Sequence, residues 1–166
     1  RGVVPDITFP NIFDVADVCE SALPNAMPWD TIPSARYFPY QDFSKKLSAL
    51  RASSQTRQTA DPDFRYLNEN IAMARELKKQ KSISLKESAR KAEKQGLDEK
   101  RLAMENRRRA AKGQEPLKSW RDAEQEEEKE AESPEVPTKD KPEDEAFAQE
   151  AGRILIDSLN PQLGKR

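Results

Sequence analysis

The sequence predicts a mainly α-helical, irregular domain with a short extended segment at its N-terminal end. Three observations carry that expectation. Apolar residues recur at helical spacing in several separate stretches, and Asp61-Pro62-Asp63 is a strong helix start. Strand-like sequence is confined to the first thirteen residues and one four-residue run. Hydrophobic residues make up 35% of the chain against 36% charged, with a mean hydropathy of −0.97. A globular domain usually has about 45–50% apolar residues. The chain can build a small core, and the remainder must be solvated or pack on something outside it.

In order along the chain, residues 1–13 read as extended. Val3, Val4, Ile7 and Phe9 favour a strand, and Pro5 and Pro10 confine it to an edge or to short pieces. So short a strand needs a sheet to join, which places its partner strands outside this chain. Residues 14–120 read as the helical domain. Asp14 caps a short helix to about Leu23, with Val15, Val18, Cys19 and Ala22 on one face. Residues 24–42 combine Pro24, Pro28, Pro33 and Pro39 with Trp29, Tyr37, Phe38 and Tyr40, a segment suited to wrapping over another surface. A helix from Gln41 or Asp42 to about Thr59 carries Phe43, Leu47 and Leu50. The next starts at Asp61 and aligns Phe64, Leu67, Ile71, Ala74 and Leu77 to about Lys79.

Ser82-Ile83-Ser84-Leu85 reads as a short strand, followed by a capping box of Ser84 with Glu87. The helical tract behind it runs to about Lys112 and ends at Gly113, with Gly96 as a point of interruption. Its apolar residues (Ala89, Ala92, Leu97, Leu102, Met104) are too few and small for a heptad seam. Residues 121–141 read as an acidic, mobile linker, or as a loosely held helix followed by one. The last segment, 142–160, reads as a docked amphipathic helix with Phe147, Ala151, Ile154, Leu155 and Ser158 on its buried face. Asn160-Pro161 ends it.

The composition excludes several chemistries. With no histidine, Ser-His and Cys-His nucleophile pairs and His-ligated metals are out, and the single Cys19 allows no internal disulfide and no cysteine cluster. Cys19 reads as a buried structural thiol. No apolar run approaches the ~18 residues of a membrane span. The sequence opens at Arg1 with no legible secretion leader, as a mature product or an excised piece would. Ser88-Ala89-Arg90-Lys91 has the spacing of a Ser-Lys pair, but in so polar a tract Lys91 stays solvated and protonated, so no catalytic residue is assigned.

The net charge of −1 conceals an asymmetry. Residues 78–112 hold 13 Lys/Arg against 5 Asp/Glu, and residues 121–145 hold 12 Asp/Glu against 4 Lys/Arg. The basic tract, densest at Arg107-Arg108-Arg109, has the charge to meet phosphates but no aromatic on which to stack bases. Nucleic acid is therefore an unfavoured partner, kept as the alternative reading of a freestanding interaction module, and a solvated helix face or charge pairing within the chain is favoured. The acidic block lacks the turn glycine of a calcium loop. No metal or cofactor is expected. Seven of the eleven aromatics precede Ser44. Among them Phe9, Phe13, Trp29, Tyr37, Phe38 and Tyr40 are the candidate packing and interface residues.

Two segments near the start carry a family resemblance. Gly2-Val3-Val4-Pro5-Asp6-Ile7 resembles the G-[VI]-x-P-D-I signature of the carboxyl-terminal processing peptidases, peptidase family S41. The run Glu20-Ser21-Ala22-Leu23-Pro24-Asn25-Ala26-Met27-Pro28-Trp29-Asp30-Thr31-Ile32 is similar to the E-x-A-L-x-N-A-L-P-W-D-x-I segment of the tail-specific branch, with Met27 where leucine is usual. Asp61-Pro62-Asp63-Phe64, Ile83-Ser84-Leu85 and the basic helix end before Gly113 and Pro116 match further, weaker elements. The resemblance implies a periplasmic serine endopeptidase with a Ser/Lys dyad and a PDZ domain, both upstream of the first signature and so outside these residues. Residues 1–13 would then be a stub of the last catalytic-domain strand. The rest would be a non-catalytic helical domain that braces the protease body, helps form the substrate chamber, or offers a surface to a protein substrate or adaptor.

Overall fold

The computed structural model describes residues 5–11, 23–27, 35–36, 38, 42–131 and 142–160. Among them are five helices and no strand: α1 (Ser44–Ala60), α2 (Pro62–Lys79), α3 (Glu87–Ala111), α4 (Trp120–Ala131) and α5 (Pro142–Leu159). The helix expected at 14–23 lies outside the described residues. Among the described residues α2 is the central element, packing on α1, α3 and α5, while α5 also packs on α1 and α4 packs on α3 alone.

Local chemistry sets most of the boundaries. The Asp42 carboxylate accepts the Ser44 N–H at 2.9 Å at the start of α1. Asp61 caps α2, its Oδ1 accepting from the N–H groups of Asp63 (2.9 Å) and Phe64 (3.4 Å), with Pro62 as the first helical residue. Leu50 of α1 and Phe64, Leu67 and Ile71 of α2 are buried, as their spacing requires. The α2 stripe runs out at Leu77, 44% exposed. α3 ends in a left-handed Gly113 (φ +70°), where the Gly113 N–H reaches the Ala110 carbonyl and the Gln114 N–H reaches that of Arg109.

Three expectations need correction. Ser82–Leu85 is not a strand: no described segment offers it a ladder, and a lone strand is not stable. The capping box of Ser84 and Glu87 does not form. Glu87 is itself the first residue of α3, and Ser84 Oγ accepts only the Lys86 N–H at 3.3 Å. Gly96 does not interrupt α3, which is continuous for 25 residues.

A capping box forms instead at α4. Ser119 N–H donates to Asp122 Oδ2 (2.9 Å), and Asp122 N–H donates to Ser119 Oγ (3.3 Å). Helix therefore extends through residue 131 into the acidic stretch, and residues 132–141, the remainder of the expected linker, lie outside the described residues. The α3–α4 reversal is fastened by Asn106, which donates to the Leu117 carbonyl (3.0 Å) and accepts the Leu117 N–H (2.7 Å). The Arg101 guanidinium lies over the Trp120 ring at 5.6 Å, and Ala123 is buried.

α5 is docked but rotated from expectation. Ala146, Glu150 and Ser158 are buried, Phe147 and Ile154 are partly buried, and Ala151 and Leu155 are exposed. The apolar pattern misled because the position in the core is taken by a carboxylate with a partner on α1.

Candidate interaction surface

Of the six aromatics singled out by sequence, Phe13, Trp29, Tyr37 and Tyr40 lie outside the described residues. The other two differ in environment. Phe9 is partly buried against this chain's own helices, stacked on Phe147 at 5.1 Å between centroids and tilted against Phe64 at 5.8 Å. Phe64 and Phe147 are 5.7 Å apart, so three segments distant in sequence meet in one aromatic cluster. Arg51 Nε adds a hydrogen bond to the Asp6 carbonyl at 3.0 Å. The extended segment is thus fastened to α1, α2 and α5. Phe38, by contrast, is fully exposed, and Leu23 (60%) and Met27 (86%) of the same aromatic-rich region are largely so.

Next to Phe9 is an open groove of about 500 Å³ between residues 8–10, α1 and α2. Its walls include Gln55, Gln58, Asn68 and Glu69. The Gln58 amide is held by Ser54 Oγ (2.9 Å), the Asn68 amide by the Phe64 carbonyl (2.9 Å) and the Glu69 carboxylate by Arg107 (2.6 Å). Among the described residues that line it, no free acid–base pair of the kind a hydrolytic centre needs occurs.

The charged residues form two internal nodes. Arg57 binds Glu150 of α5 through Nε (2.9 Å) and Nη2 (2.8 Å), and Asp157 through Nη1 (2.7 Å). The Glu150 side chain is 1% exposed. These carboxylates hold the guanidinium proton still more tightly than usual. Lys46 Nζ donates to the Ser158 (2.8 Å) and Asn160 (3.0 Å) carbonyls, satisfying the end of α5. The second node joins α2 to α3. Asp63 accepts from Arg108 Nε (2.6 Å) and pairs with Lys112 (2.7 Å), while Glu105 pairs with Arg108 and Arg109. Burial would raise the Asp63 carboxyl's affinity for a proton, but the hydrogen bonds from Arg108 and Lys112 outweigh it and hold the group below the usual carboxylate range. Arg108 also sits over the Tyr66 ring at 5.3 Å.

The basic tract is therefore paired where it is densest. Arg107 meets Glu69, Arg108 meets Asp63 and Glu105, and Arg109 meets Glu105. Ser88 and Lys91 lie exposed on the first turns of α3, and Lys91 Nζ is paired with Glu87 at 2.7 Å. No group of His, Cys, Asp and Glu that could hold a metal occurs among the described residues, and no helix there is long and apolar enough to cross a membrane.

Sequence reasoning missed Arg57, Glu150, Asp157 and Lys46. Nothing local marks an arginine as the partner of a carboxylate 93 residues away. The Ser119-x-x-Asp122 box was visible as a pattern, hidden only by its place at the edge of a charged stretch.

Comparison with known proteins adds what the geometry leaves open. Residues 13–160 match a family model described as the C-terminal domain of tail specific protease. A tail-specific protease of Haemophilus influenzae is 35% identical over 121 residues, covering 71% of this chain and 17% of that protein. The chain thus spans about a sixth of the length of this curated relative.

Proposed function

The chain belongs to the family of C-terminal domains of tail-specific proteases, and from that premise we propose that it serves as a non-catalytic structural domain of a longer serine endopeptidase. That enzyme processes or degrades proteins from their C-termini in the periplasm, and this domain braces its body and helps enclose the substrate chamber or present an adaptor surface. The observation that carries the reading is the family match over 148 of 166 residues, 13–160, in a chain that spans only 17% of its relative. The described residues agree with a structural role. Lys91 is solvated and paired with Glu87, and the arginine tract is paired internally.

Within this reading, residues 9–43 face the catalytic domain, led by Trp29, Tyr37 and Phe38. A fully exposed phenylalanine gains about 25 cal/mol for each Å² it removes from water. Phe9 fastens the segment at its start, stacked on Phe147 and tilted against Phe64.

Deleting the residues corresponding to 14–160 from the full-length protease tests this. Cleavage of an unfolded protein with an apolar C-terminus should fall at least tenfold, and the separate domain should cleave nothing. Undiminished cleavage by the truncated enzyme would refute the structural role. Cell fractionation tests the compartment: a band much heavier than 18.9 kDa in the periplasmic fraction is expected.

A further inference from the structure

α5 has two apolar faces, and among the described residues only one is packed. The inner face, with Ala146, Phe147, Glu150, Ile154 and Ser158, meets α1 and α2. On the outer face, Ala148, Ala151, Gly152, Leu155, Ile156 and Leu159 follow at i, i+3, i+4, i+7, i+8 and i+11, and all six are exposed. Leu155, Ile156 and Leu159 are 63%, 69% and 68% exposed, and no charged side chain interrupts the stripe. A surface helix normally keeps its outward face polar, and one apolar on both sides is normally buried on both. Gly152 has open space around it, so the small end of the stripe admits a close neighbour.

We infer that the outer face of α5 is the seat of an amphipathic helix from the part of the protease outside residues 1–166. Three observations select that occupant. The family match extends to residue 160, so the stripe lies within the family domain. The relative devotes 83% of its length to sequence beyond this match (100 − 17), so most of the protein that could cover the stripe lies outside this chain. Six residues on one helix are also few beside the roughly 20–30 residues a side of a standard interface between separate molecules. A tethered segment needs less surface, because its effective concentration is already high. The stripe grades from Ala148 to Leu159, so the seated helix carries its bulky residues opposite Ala148, Ala151 and Gly152. This inference rests on the reading of the chain as one domain of a longer protease and names a contact that holds it there.

The test uses the full-length protease with a benzophenone amino acid in place of Ile156 and, in a separate variant, of Trp29. Irradiation at Ile156 should give a product at monomer mass, with mass spectrometry placing the cross-link on a helical peptide outside residues 1–166. A dimer-mass product would overturn the inference in favour of a second copy. An adduct heavier than the monomer, seen only with substrate or extract, would overturn it in favour of a separate partner, and absence of any cross-link would show a bare face. The Trp29 variant tests the bracing surface independently. If Trp29 cross-links within the chain and Ile156 does not, the structural role stands and the helix seat fails.

Discussion

Arg57 and Arg108 each join two helices through carboxylates, but the surroundings differ. Arg57 reaches across to Glu150, whose side chain is 1% exposed, while Arg108 pairs with Asp63 at 15%. Glu150 is within the helix packing, with Arg57 as its main cation and a distant contact from Arg153 at 3.9 Å. Asp63 lies at a helix start, shared between Arg108 and Lys112 and closer to water. Burial raises what is lost when a partner goes, because the remaining charge has nowhere to be solvated. The ion pairing between α1 and α5 should therefore depend on one arginine, and that between α2 and α3 on several cations.

Breaking the first node should have the largest effect. Arg57→Ala leaves Glu150 buried without its partner and should destabilise the domain by about 3–5 kcal/mol, read from urea denaturation followed by circular dichroism. The double substitution Arg57→Met with Glu150→Leu should recover most of that loss, since apolar replacements of a buried ion pair are often neutral or better. If the double variant is no more stable than the single, Glu150 is better solvated than its burial implies. Arg108→Ala should cost less, about 1–3 kcal/mol, because Lys112 remains beside Asp63.

Acid separates the nodes in another way. Asp63 binds its proton less readily folded than unfolded. Its contribution is thus fully present above the unfolded carboxyl value of about 3.9 and is lost as pH falls through the lower folded value. Urea midpoints measured below about pH 4 should fall more steeply for the parent chain than for Asp63→Asn. Equal slopes would mean that the pairing is already screened. The smallest effect lies away from both nodes. Gly96→Ala places a methyl in open space on the half of α3 that neither arginine clamps, and should raise stability by up to about 1 kcal/mol. A loss on this substitution would reveal a neighbour at that position.

What was legible in the sequence follows the range of the forces involved. Asp61-Pro62 and Gly113 were readable because a cap acts within three or four residues, and Phe64-Leu67-Ile71 because one helix face repeats. Leu155 and Ala151 were misassigned because α5 carries two apolar faces, and periodicity cannot say which is inward. Arg57–Glu150 decides that choice from a distance no local pattern contains. Ser82–Leu85 has strand composition but no ladder among the described residues, since pairing is a property of neighbours. Of the candidate surface, Phe9 and Phe38 could be placed, and their contrast was not legible: both are aromatics in proline-rich chain, yet one ring meets Phe64 and Phe147 while the other is wholly exposed.

Lys46 has a mechanical consequence. Its ammonium near the start of α1 holds the carbonyls at the end of α5, so two points 114 residues apart along the chain are brought together at one corner. Tension applied between the segment before α1 and the segment after α5 would meet that corner first. The contacts would then be loaded one after another, as in peeling, with Lys46 giving way before the Arg57 clasp deeper along the seam is strained. A domain attached in this way opens from one edge, contact by contact, under pull.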